Sequence, residues 1–73
     1  MISVTDLKSI ANLGGGMILD AKSLSVTDLK SIVNLASGKK AQITLKNALV
    51  LSATDLKSLA NLSKGCVVFD FYN

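Results

Sequence analysis

One eleven-residue phrase is written three times in this 73-residue chain. It reads Ser-Val-Thr-Asp-Leu-Lys-Ser-Ile-Ala-Asn-Leu at 3–13 and returns at 25–35 and 52–62. Eight of the eleven positions are identical in all copies, and the other three vary only among Val, Ala, Ile and Leu. Recurrence of this kind constrains the fold more tightly than any bulk property. Each copy is a unit that cannot bury its apolar side alone, so neighbouring units must stack.

The phrase reads as a helix. Ser3 and Asp6 form a capping-box-like start, in which the Ser hydroxyl accepts from the third helical N–H. Asp6 also faces the positive end of the helix dipole. Ser25 with Asp28, and Ser52 with Asp55, repeat the pattern. Val4, Leu7, Ile10 and Ala11 make a one-sided apolar stripe. Thr5, Lys8, Ser9 and Asn12 fall opposite, as a solvated face, and Leu13 packs at the exit. Gly14, Gly38 and Gly65 are the expected stops. Helices are therefore predicted at about 4–13, 26–36 and 53–63.

A strand-like run follows each helix, at 17–21, 41–47 and 66–72. Alternation sets an inner face of three layers: Met17/Ile43/Val67, Leu19/Leu45/Phe69 and Ala21/Asn47/Phe71. The order αβαβαβ predicts adjacent parallel strands with right-handed crossovers. The expected fold is α/β: one domain over 1–73, with units at about 3–21, 25–47 and 52–72. It is a short solenoid, three tandem helix–strand repeats with a three-stranded parallel sheet and helices on one face. The expected core is Leu7, Ile10, Leu19, Leu29, Ile32, Leu45, Leu56, Leu59, Phe69 and Phe71.

One strand and one helix per turn, together with Ile43-x-Leu45-x-Asn47, resembles a leucine-rich-repeat solenoid. Here the helix, rather than the strand, is the invariant part. The resemblance implies a binding or scaffold surface and assigns no function to any residue.

Chemistry finds little foothold. There is no histidine and one cysteine, Cys66. An intramolecular disulfide and the usual Cys/His zinc sites are thus excluded; no metal, no cofactor and no catalytic residue is expected. Gly14-Gly15-Gly16 follows a helix, the reverse of a phosphate loop, and reads as a tight turn. Asp6 and Lys8 lie about 200° apart around the helix, and Ser9 has no base beside it. Cys66 lacks an activating neighbour and reads as a small hydrophobe. No apolar run is long enough to span a bilayer. The opening residues do not form a secretory leader, and with a lone thiol they predict a cytoplasmic setting. The net charge of +3 rests on eight lysines and no arginine. That disfavours nucleic acid; Lys39 and Lys40, with Lys30 and Lys46, could form a local basic spot, but a solvated loop accounts for them better. The alternative function is therefore a weak nucleic-acid or anion-binding accessory protein.

The sequence favours a non-catalytic scaffold or protein-interaction module that self-associates. A domain of this size has a thin stability margin, and neither disulfide nor metal supplements it. On the sheet face away from the helices, Asp20, Lys46 and Asp70 should form a row of alternating charge beside Ile18 and Val68. The last strand, with Phe71 and Tyr72, should be a long apolar edge that invites pairing. The candidate interaction residues are Ile18, Asp20, Lys46, Val68, Asp70, Phe71 and Tyr72. The expected partner is a second copy, with a two-fold dimer preferred over a head-to-tail filament; a different protein partner is the other possibility.

Overall fold

The structure, a computed structural model, describes residues 2–72. Three helices, α1 (Val4–Asn12), α2 (Val26–Lys39) and α3 (Ala53–Ser63), alternate with strands β1 (Met17–Asp20), β2 (Ile43–Lys46) and β3 (Val67–Phe69). The strands form one parallel sheet in the order β1-β2-β3. The register aligns Met17, Ile43 and Val67, then Leu19, Leu45 and Phe69, as alternation predicts.

Each helix starts where the phrase starts. The hydroxyls of Ser3, Ser25 and Ser52 accept from the N–H of Asp6, Asp28 and Asp55, each at 3.1 Å. Ile2, Leu24 and Leu51 precede those caps, and Leu7, Leu29 and Leu56 lie in the first turn of each helix. This is the spacing of a hydrophobic staple, which sets the angle of chain entry.

The helix ends differ. After α1 the N–H of Gly14 donates to Ala11 and that of Gly15 to Ile10, a Schellman closure. Gly14 alone of the three glycines there has positive φ, at 96°. Gly15 and Gly16 are needed for space: an added Cβ would lie 2.5 Å from Ile10 Cγ2 and 2.9 Å from the Gln42 carbonyl oxygen, respectively.

Gly38 is not a cap. It lies inside α2, which runs through Lys39 and closes on Lys40 in the left-handed conformation. Four more residues separate phrase from strand in the second copy than in the first, close to one helical turn. They extend the helix and leave the strand register intact.

The core lies between the helices and the inward strand residues. Leu29, Ile32, Val33, Ala36, Ile43, Leu45 and Leu59 are fully buried, with Ala11, Ala21 and Ala41 among them. Leu7, Leu19 and Phe69 pack against this cluster but remain partly exposed, as are Ile10 and Leu56. Two expected placements are corrected. Phe71 is 40% exposed because β3 ends at Phe69 and the inner face does not continue to it. Leu13 is exposed, since the chain turns away through Gly14 before it can pack.

Candidate interaction surface

The strands turn their even-numbered partners to the side opposite the helices. Ile18, Thr44 and Val68 are in register there. Ile18 is 69% and Val68 42% exposed. No element among the described residues covers this face. Parallel sheets are usually buried on both sides.

The next row holds Asp20, Lys46 and Asp70, and only half of the expected charge alternation forms. Lys46 Nζ lies 3.4 Å from Asp70 Oδ2. Asp20 is paired with Lys46 in the strand register but is not within ion-pair distance of it. Its Oδ1 accepts instead from Asn47 Nδ2 at 2.8 Å and from the Lys22 N–H at 2.9 Å. The Ser23 hydroxyl donates weakly to Oδ2, at 3.5 Å. Asp70 Oδ1 likewise accepts from the N–H two residues on, that of Tyr72, at 2.9 Å. Both aspartates thus end their strands in side-chain-stabilised turns.

The Asn47 amide, followed by the Lys22 N–H, holds the Asp20 carboxyl below the ordinary aspartate value; some desolvation opposes them. Asn47 was expected in an inner layer. It adopts the left-handed conformation, with φ 59°, and reaches back to the neighbouring unit. Asn tolerates that conformation better than most residues because its short side chain bonds locally. Its role was hidden in the sequence, although an Asp closing an apolar run with Ser three residues later is a recognisable turn signal.

Phe71 and Tyr72 do not join the sheet-face patch. They lie beyond β3, lining a shallow groove with Lys22, Asn47, Leu49 and Val50. Phe71 keeps one ring contact, to Phe69 at 5.9 Å between centroids. Tyr72 is 97% exposed. The expected long apolar edge from 66 to 72 is only three residues of strand, and a short edge is less open to pairing.

A second groove lies between the start of α1 and the edge of β1. Ile2, Val4, Leu7, Ile18, Leu19 and Leu24 supply its apolar lining.

The four lysines are spread over different elements. Lys30 lies in the first turns of α2 and Lys39 at its end, roughly 13 Å apart along the axis. Lys40 precedes β2, whereas Lys46 ends it and pairs with Asp70. Lys8 is not merely solvated: its Nζ reaches Asp28 Oδ1 on α2 at 3.6 Å. Among the described residues, no three His, Cys, Asp or Glu side chains converge to hold a metal. Nor is any helix long and apolar enough to cross a membrane.

No family model matches the chain, and neither a curated protein nor a solved structure matches it.

Proposed function

We propose that this chain is a non-catalytic, self-associating scaffold, a minimal solenoid of three helix–strand units that works through its ends and open face. Its partner is a second copy of the same chain.

The observation that carries this reading is position-matched burial. Leu29 is fully buried in the middle unit, while Leu7 and Leu56, the same leucine in the outer units, are partly exposed. The same holds for Leu45 against Leu19 and Phe69. At each of these places, with the same leucine throughout in the helices and Leu, Leu and Phe in the strands, burial is complete where there are neighbours on two sides and partial where there is one. The outer units therefore carry apolar surface that a further unit would cover. Burying it is favourable by roughly 25 cal/mol per Å².

Sedimentation velocity across a wide concentration range tests the reading. The mean mass should rise with concentration and fall back on dilution. A chain that stays monomeric at the highest attainable concentration overturns it.

A further inference from the structure

We propose that the second copy docks head to tail, with the α3–β3 flank of one molecule against the α1–β1 flank of the next. This rests on the self-association proposed above and specifies its geometry. It reverses the preference for a two-fold dimer that the sequence alone supports.

The repeated phrase reports which flank faces which neighbour. At its eighth position Ile32 and Leu59 are fully buried, but Ile10 is partly exposed. At its ninth position Ala11 and Val33 are fully buried, but Ala60 is exposed. The eighth position therefore faces the preceding unit, and the ninth faces the following one. Only α1 lacks the first neighbour and only α3 the second. The two open flanks are thus unlike each other, and each presents what the other lacks. The groove at α1 and β1 belongs to the same account. Its Leu7 and Leu19 occupy the positions at which Leu29 and Leu45 are fully buried.

Charge complementarity points the same way. The Lys8–Asp28 pair joins the sixth phrase position of one unit to the fourth of the next. At the chain's two ends that pattern leaves Lys57 on α3 and Asp6 on α1. Both are exposed, and neither is in an ion pair among the described residues. Head-to-tail docking brings opposite charges together. A two-fold dimer brings Lys57 to Lys57, or Asp6 to Asp6. Lys30 and Asp55, the corresponding pair between α2 and α3, are not within ion-pair distance, so the bridge assists a junction without being required for it.

The same geometry contains one opposing contact. Continuing the register from β3 to the next β1 sets Asp70 beside Asp20, and like charges directly across a sheet are unfavourable. The stack is therefore weak and reversible, and relieving that contact should strengthen it. Asp20→Asn does so while keeping an oxygen to accept from Lys22 and Asn47.

Sedimentation of wild type and of Asp6→Lys, Lys57→Asp, the double variant and Asp20→Asn tests the geometry. Wild type should grow past the dimer. Each single charge reversal should weaken association about threefold to tenfold, from the size of an exposed pair changed from attraction to repulsion. The double variant, and an equimolar mixture of the two single variants, should both recover wild-type association. Asp20→Asn should tighten it. Ala60→Arg, whose side chain is exposed and lies well past the Ser52 N-cap, should block growth without unfolding the chain, as circular dichroism will report. Wild type that stops at a dimer, or a double variant no better than the singles, overturns the head-to-tail geometry alone. Wild type that never associates overturns self-association itself.

Discussion

Asp20 and Asp70 stand at the same place in their units and do the same local work, ending a strand by accepting the N–H two residues on. Asp20 has a further donor, Asn47, and its carboxyl is held below the ordinary value chiefly by that amide. A lowered folded pKa contributes stability above the unfolded value, about pH 4. That contribution is lost as pH falls through the lowered folded value. Asn47→Gly keeps the left-handed backbone and removes the amide, so the Asp20 titration should move up toward the ordinary value. An NMR titration of the Asp20 carboxyl checks this; an unmoved midpoint would assign the shift to the Lys22 turn alone. Glycine gives a second prediction at this scale. Gly38 sits in α2 with nothing within 4 Å of an added Cβ, so Gly38→Ala should stabilise by about 0.5–1 kcal/mol. Were Gly38 the helix stop that its place in the sequence suggests, the same change would destabilise. Gly16→Ala should cost about 1–3 kcal/mol, because the new methyl meets the Gln42 carbonyl oxygen at 2.9 Å. Urea unfolding of the two variants distinguishes these opposite signs.

At the scale of the element, the three helices share a phrase but not a stability. Leu29 is fully buried on α2, which packs against both α1 and α3, whereas Leu7 and Leu56, on the outer helices, are partly exposed. Leu29→Ala should cost about 2–5 kcal/mol, the range for a fully enclosed leucine. Leu7→Ala and Leu56→Ala should each cost roughly half of that, as partly exposed sites. Equal losses at all three, measured by urea unfolding at low protein concentration, would contradict the burial pattern. The helices were legible in the sequence because cap, stripe and period agree on the same residues. Strand order and register were legible because each apolar run alternates and only a helix separates it from the next. Strand ends were not. Residues 70–72 alternate in type, but the turn at Asp70 withdraws them from the sheet, and alternation carries no record of a side chain that bonds its own backbone. The close of α2 is not legible in the sequence for a related reason. A left-handed stop favours glycine, yet Lys40 takes it with φ 57° while Gly38 stays helical. The candidate surface divides in the same way: Ile18, Lys46 and Val68 lie where alternation places them, whereas Phe71 and Tyr72 line a different groove.

For the whole molecule, folding and association should draw on the same surfaces. Stability in small domains is about 0.05–0.15 kcal/mol per residue, so a chain of this length has little to spare. Docking that selects the folded chain adds to that margin by mass action, about 1.4 kcal/mol for each tenfold excess over the dissociation constant. The urea midpoint of wild type should therefore rise with protein concentration. Ala60→Arg separates the two contributions. Position 60 is exposed in the single chain, so at low concentration the variant should unfold at the wild-type midpoint. At high concentration its midpoint should stay there while that of wild type climbs. A variant already less stable at low concentration would mean that Ala60 serves the fold and not the junction. A wild-type midpoint independent of concentration would mean that the open flanks stay open, and that the three units hold together through their own core alone.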